Sequence, residues 1–174
     1  KDLARADGVA VDAYKRLVFI HPFVNACGSA ASIDGNPSEA TLNGFINGSI
    51  MYHELGHNLE LGHAHALDCG SKAIDRYQNC TVQYYGDGYT TPMGFNTSVH
   101  HNAVAKTHFG WIPAEQIQEV TQSGTYTLTP LNTQNSGVKV FKIRKADTQE
   151  YYFLEYRPLL PGTFDQYLQA GVTQ

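Results

Sequence analysis

Residues 53–63 read HELGHNLELGH, and this stretch decides how the rest of the chain is interpreted. Apolar residues recur at intervals of three to five residues, which predicts a helix that begins near Phe45 and runs to about Leu59. Residues four apart lie on the same helical face, so the imidazoles of His53 and His57 can converge on one metal ion. Glu54, about 100° round the helix, can reach a water molecule at that ion. The stretch therefore predicts a metal site with a base beside it.

Zinc is the expected metal, because histidine ligands with one open position suit its tetrahedral preference and its Lewis acidity. The third ligand is predicted to be His63. On a continuous helix its Cα would lie about 15 Å beyond that of His53, so the helix must end near residue 60, where Gly62 offers backbone freedom. In the alternative, the helix continues and Glu60, seven residues after His53, approaches the metal. We favour His63 over Glu60 as the third ligand.

Two later stretches add to this pattern. Residues 85–94 read YGDGYTTPMG and place Met93 in a tight loop thirty residues after His63, and residues 109–112 read FGWI. Together with residues 53–63 they resemble, in the same order, motifs of the metzincin zinc proteases and of their gametolysin-like branch. The resemblance extends over roughly residues 17–160. In that family the methionine turn lies beneath the zinc, and Met93 matches it.

The resemblance implies an α+β fold of the metzincin type, with a long active-site helix, an irregular loop region that carries the methionine turn, and a β-rich C-terminal segment. It also implies a secreted zinc endopeptidase that cleaves internal peptide bonds of extracellular proteins or glycoproteins. The zinc ligands would be His53, His57 and His63, and Glu54 would be the general base. The expected partner is a protein or peptide substrate, and an inhibitory pro-segment could lie upstream.

The chain departs from the family pattern at one position. The family has glycine three residues after the second histidine, where this chain has Glu60. If that position needs a positive φ, glutamate costs about 1 kcal/mol or more. Two other hypotheses follow. Glu60 could impair the site and leave a non-catalytic module that binds a glycan or a protein, or His65 or Glu60 could close the site as a fourth ligand of a structural zinc.

Residues 1–112 are predicted to form the catalytic domain, without its first elements, and residues 113–174 a β-rich extension packed on it. A second helix is expected from a cap at Thr97 or Ser98 to about His108, with Gly110 as its stop. Residues 25–48 are expected to be mostly loop. Alternation and apolar runs predict a buried strand at Arg16–Ile20 and further strands at Thr125–Thr129, Val138–Arg144 and Glu150–Tyr156.

Composition limits the function classes. The 174 residues carry a formal net charge of -4, with 42% hydrophobic and only 16% charged residues. Disorder is therefore disfavoured, and there is no basic stripe for a nucleic-acid backbone. The longest purely apolar run is Leu17–Ile20, far short of the roughly 18 residues that a membrane-spanning helix needs.

Cysteine usage and glycosylation sequons bear on the compartment. Cys69 and Cys80, with ten residues between them, are predicted to form a disulfide. Acceptor sequons begin at Asn47, Asn79 and Asn96 and would suit a secreted glycoprotein. The chain begins with a lysine and carries no leader, so we expect any secretory signal to lie upstream.

Overall fold

A computed structural model describes residues 1–44, 46–84, 90–94, 99–146 and 148–167. The described chain is a mixed α+β protein, as the sequence predicts at the level of fold class. Its helices are α1 (Asp2–Ala6), α2 (Gly48–Asn58) and α3 (Ala103–His108), and its strands are β1 (Arg16–His21), β2 (Ala30–Ala31), β3 (Ser38–Asn43), β4 (Ala66–Asp68), β5 (Thr81–Gln83), β6 (Ile117–Glu119), β7 (Val140–Arg144) and β8 (Tyr151–Leu154). None of the described helices has the length and apolar character needed to cross a membrane.

The chain divides into two compact units, Lys1–His63 and Ala64–Gln174. The first unit ends on the last histidine of the motif, and the boundary predicted near residue 112 falls inside the second unit. Each unit has small sheets of its own, with one three-stranded sheet in the first unit and a two-stranded and a three-stranded sheet in the second.

The first unit is built on a sheet with the strand order β1-β3-β2. Strand β1 runs parallel to β3 and β2 runs antiparallel to it. The central strand β3 buries Ser38, Ala40 and Leu42, each only 1% exposed, and α2 packs against β3 and β2. The sheet is therefore the platform that supports the motif helix.

The predicted loop region and the predicted buried strand of this unit have different outcomes. Most of the described residues between 25 and 48 are loop, as expected, and strands β2 and β3 take up eight of them. Strand β3 was not foreseen. Its inward residues are small or polar as often as they are apolar, so the alternation that marks a half-buried strand is weak. The strand at Arg16–Ile20 exists but is not buried, since Val18 and Ile20 are 41% and 55% exposed. It lies at an edge of the described sheet, with β3 as its one neighbour there.

Helix α2 starts later than predicted, because Asn47 caps it. The Asn47 Oδ1 accepts a hydrogen bond from the backbone N–H of Ile50 at 2.9 Å, which satisfies one of the free donors of the first turn. Phe45, the predicted start, lies outside the described residues. The predicted end near Leu59 is confirmed, since Asn58 is the last helical residue and Leu59 is the C-cap.

In the second unit, a core of buried side chains ties α3 to the sheet β6-β7-β8. Its members are Ala103, Ile112, Leu131 and Val140, with Ile117 and Phe153 packed against them. Strands β4 and β5 form an antiparallel pair, and the predicted disulfide between Cys69 and Cys80 beside that pair is confirmed.

The other predictions for the second unit are confirmed in part. Helix α3 is capped by Asn102, whose side chain accepts from the N–H of Ala105, whereas Thr97 and Ser98 lie outside the described residues. Gly110 ends the helix with φ +67°, as expected.

Strands β7 and β8 are shorter than predicted. The predicted strand at Thr125–Thr129 is wrong, because that segment makes no ladder, and the short β6 was not foreseen.

The last residue of α2 fastens the helix to the sheet. Asn58 is 2% exposed, and its Nδ2 donates to the carbonyls of Ser32 and Glu39, both at 3.0 Å. We expect Asn58→Ala to lower the free energy of unfolding by about 2 kcal/mol, because the carbonyl of Ser32 is then left unsatisfied next to a small void. Urea denaturation measures this. Asn25→Ala, on an exposed side chain of the same unit, is the control, and an equal loss in both variants would contradict the anchoring role.

Candidate metal centre

The three histidines of the motif point their Nε2 atoms at one another. The Nε2 of His57 lies 3.2 Å from that of His53 and 3.1 Å from that of His63. The ligand atoms of all three lie within 4.8 Å of one another, which is close enough to hold a metal ion. Ligand nitrogens about 2.05 Å from a tetrahedral zinc ion are separated by about 3.3 Å, so the two shorter distances are of the right size for such a site.

A tight turn after α2 brings His63 back to the helix. The N–H of Leu61 donates to the carbonyl of Gly56 at 3.1 Å, and the N–H of Glu60 donates to the carbonyl of His57 at 2.9 Å. This pair of bonds is the Schellman motif, which ends a helix by placing one residue in the left-handed region. The chain therefore reverses without using a long loop, and His63 reaches the two helical histidines.

Glu60 is the left-handed residue of that turn, with φ +73°. The sequence suggests two routes for the chain here, a reversal that uses the backbone freedom of Gly62 and a helix that continues to Glu60, and neither backbone is observed. The turn is not shifted to Gly62, whose φ is not positive, and the helix does not continue through Glu60. The glutamate occupies the position where the family has glycine, adopts the backbone conformation that glycine favours, and leaves the third place in the cluster to His63.

The same turn fixes the tautomer of His57. Its Nδ1 lies 2.7 Å from the carbonyl oxygen of Leu61, which can only accept, so the Nδ1 carries the proton. In the neutral ring the Nε2 then presents a lone pair to the other two imidazoles. That one lone pair cannot accept a well-aligned hydrogen bond from both neighbours, whereas a cation between the rings would use a lone pair from each. The arrangement fits a metal ligand better than a histidine hydrogen-bond chain.

Burial differs around the cluster. His53 is 9% exposed and His57 5% exposed, whereas His63 is exposed. Glu54, on the same helix, is 7% exposed. Burial raises the pKa of the Glu54 carboxyl, and the nearby His57 opposes this rise by favouring the carboxylate. The site thus has two buried ligands, a buried carboxyl group and one ligand on the side that faces solvent.

Met93 is buried at 3% exposed and lies in a turn in which the N–H of Gly94 donates to the carbonyl of Thr91 at 3.2 Å. Its own carbonyl accepts from the N–H of Ala64 at 2.8 Å, and Ala64 directly follows the last motif histidine. Residues 85–89 of the predicted methionine turn lie outside the described residues, so the described part of that turn is residues 90–94.

The remaining histidines of the described second unit do not join the cluster. His65 is exposed and packs edge-on against Tyr84, so it is not placed as a fourth ligand. His101 packs edge-on against Phe109 and Trp111, whose ring centroids lie 4.5 Å apart, and burial lowers its pKa to about 4. His65 is thus a surface histidine and His101 a largely buried one, and both lie outside the cluster.

Sequence reasoning missed three groups that position the site. Asn47 begins the helix, Asn58 fastens its end to the sheet, and the carbonyl of Leu61 orients His57. The asparagine at the cap is a recognisable signal, since asparagine is among the best N-caps. A backbone carbonyl has no signature in the sequence, so the third group could not be found that way.

Comparisons of the chain with protein-family models, with curated proteins and with solved structures find no match. The geometry of the site and the motif itself are therefore what indicates a function for this chain.

The strain at Glu60 is open to a direct test. We expect Glu60→Gly to raise the free energy of unfolding by about 1 kcal/mol, because glycine adopts a positive φ without steric cost. Gly110 is the matched control, since it has the same place in the same kind of turn after α3 and a Cβ there meets no atom within 4 Å. Gly110→Ala should lower stability by a similar amount. Urea denaturation of metal-free protein measures both, and unchanged stability of Glu60→Gly would show that the turn is not strained.

Proposed function

We propose that this chain is a zinc-dependent endopeptidase of the metzincin type, similar to the gametolysin-like branch. The observation that carries the proposal is the convergence of three imidazole Nε2 atoms, two of them from the helix that also carries the buried carboxyl group of Glu54. The order of the motifs, with Met93 and the FGWI stretch after the histidines, supports the same interpretation.

The donor set favours zinc over harder cations. Calcium and magnesium prefer oxygen ligands, and the cluster offers three nitrogens. Three protein ligands with one of them exposed are typical of a catalytic site, which keeps one position open, rather than of a structural site with four protein ligands. Among the described residues neither His65 nor Glu60 belongs to the cluster, so the alternative of a closed structural zinc lacks a fourth ligand.

Glu54 would act as general acid and base. A zinc ion held by His53, His57 and His63 would lower the pKa of a water molecule to about 7 and polarise the scissile carbonyl. The carboxylate of Glu54 would take a proton from the attacking water and deliver it to the departing amine. Its burial suits this role, because burial raises the pKa of the Glu54 carboxyl and so makes its carboxylate a stronger proton acceptor than an exposed one.

The proposed location is extracellular. The disulfide between Cys69 and Cys80 is typical of proteins from oxidising compartments, and Asn47 and Asn79 are exposed sequon positions. The sequon at Asn96 lies outside the described residues. A protein or peptide is the proposed substrate, with extracellular glycoproteins as the expected class. An upstream pro-segment that blocks the site until it is removed is part of the same proposal.

Replacement of the general base separates catalysis from metal binding. We expect Glu54→Gln to bind zinc as tightly as the unaltered chain but to cleave casein at least about 100-fold more slowly, because the proton acceptor is lost. Zinc content by elemental analysis and the initial rate of casein cleavage are measured on the same samples. Glu115→Gln, on an exposed glutamate of the second unit, is the control with the same charge change. Undiminished cleavage by zinc-loaded Glu54→Gln would refute the role.

The third ligand is tested by metal titration. We expect His63→Ala to weaken zinc binding by about 100-fold or more, because one of three ligands is removed, whereas Glu60→Ala and His65→Ala should bind nearly as well as the unaltered chain. A larger loss in Glu60→Ala than in His63→Ala would reassign the ligand. A chain that binds zinc but shows no cleavage that chelation abolishes would favour the non-catalytic binding module.

A further inference from the structure

The second unit contains a cavity of about 590 Å³ that has no part in the proposed peptidase chemistry. Its walls come from α3, from the segment that follows α3, and from the chain that leads into β7. The described residues that line it include Lys106, Trp111, Ile112, Leu131, Gln134 and Lys139. None of them belongs to the histidine cluster, so the cavity is a separate feature of the chain.

One lysine in this cavity has no partner among the described residues. Lys106 is half-buried, and its ammonium group makes no hydrogen bond or ion pair with any residue that the structure describes, while burial lowers its pKa. Lys139 differs, because its Nζ donates to the carbonyls of Pro130 at 3.1 Å and of Thr133, which satisfies the ammonium group. Lys106 is therefore the cation of the cavity that remains available to a ligand.

The neighbouring carboxylates pair with Arg157 rather than with Lys106. Arg157 holds Glu155 Oε1 at 2.7 Å and Asp165 Oδ1 at 3.4 Å, and Asp165 Oδ2 is buried without a hydrogen-bond partner among the described residues. The charges of Asp165 and Glu155 raise the pKa of Lys106, and those of Arg157 and Lys139 lower it. None of the described residues that line the cavity is acidic, so the lining supplies no carboxylate to the ammonium group of Lys106.

Two further polar groups of the cavity offer open N–H donors. Trp111 is 57% exposed, and neither its indole N–H nor the amide of Gln134 is hydrogen-bonded to another described residue. Ile112 and Leu131, 7% and 6% exposed, form an apolar wall. A ligand that fits would combine an acceptor-rich, negatively charged end with a compact body that can lie against an aromatic ring and aliphatic side chains.

We propose that this cavity binds a small organic acid, with its carboxylate on Lys106 and a ring-shaped body between Trp111 and the wall of Ile112 and Leu131. The carboxylate supplies the acceptors that the ammonium, indole and amide donors lack, and it neutralises a cation that burial has partly removed from water. The body of the ligand buries apolar surface that is now open.

The chain provides its own probe for this proposal, because Trp111 is its single tryptophan. Fluorescence titrations of the full chain with cyclohexanecarboxylate and with cyclohexanecarboxamide compare a charged and a neutral ligand of nearly the same shape. The protein is first treated with a chelator and dialysed, so that no metal at the histidine cluster can bind the carboxylate. We expect a dissociation constant of about 1 mM or tighter for the carboxylate and binding at least about tenfold weaker for the amide.

Substitutions at the lysine locate the binding. Lys106→Met should weaken carboxylate binding at least about tenfold, and Lys106→Arg, which keeps the charge, should retain it. Lys72→Met makes the same change at an exposed lysine paired with Asp75 and should have no effect. Three outcomes would overturn the proposal. They are equal binding of the two ligands, undiminished binding of the carboxylate by Lys106→Met, and no fluorescence response to about 20 mM carboxylate. If Lys106→Met does not fold, the comparison of the two ligands still shows whether the cavity requires a negative charge on the ligand.

Discussion

The site depends on a reversal of the chain within three residues after α2. A helix that continued past Asn58 would carry residue 63 away from the first two histidines by 1.5 Å per residue. The Schellman turn at Leu59, Glu60 and Leu61 prevents this and returns the chain toward His53 and His57. The turn has a second effect, since the carbonyl of Leu61 holds the Nδ1 proton of His57 and leaves its Nε2 free to act as a ligand. One local backbone conformation thus places one ligand and orients another.

The helix that carries the other two ligands is held at both ends by asparagine. Asn47 satisfies a free N–H at its start, and Asn58 donates two hydrogen bonds to the sheet at its end. Both interactions act on a helix of 11 residues whose buried face carries polar groups. His53, Glu54 and His57 are buried where a helix of ordinary composition would place apolar side chains, so packing contributes less to its position. The hydrogen bonds of Asn47 and Asn58 therefore contribute more to the position of the helix.

The sequence was sufficient to predict the parts of the site that follow from helical periodicity. The shared face of His53 and His57, the end of α2 and the inclusion of His63 were all predicted and all observed. The way the turn is made was not, because glutamate is a poor indicator of a positive φ and the nearby Gly62 is a better one. Strand β3 was missed for a related reason, since Ser38 and Ala40 point inward and give little hydrophobic contrast. The pairing of Cys69 with Cys80 was found because two cysteines so close in sequence leave few alternatives.

The glutamate in the turn becomes easier to understand when stability and ligand binding are considered together. A non-glycine residue in the left-handed region costs about 1 kcal/mol. A ligand that binds only the folded state adds stability by mass action, and this amounts to about 2.7 kcal/mol when its concentration is a hundred times its dissociation constant. A metal ion bound by His63 requires the turn to be formed, so the ion would offset the strain at Glu60. The turn would then tolerate glutamate in the metal-bound chain while the metal-free chain remains less stable. The ion adds the same stability to both chains when its dissociation constant is unchanged, so metal-free protein reports the strain at Glu60 without that added term.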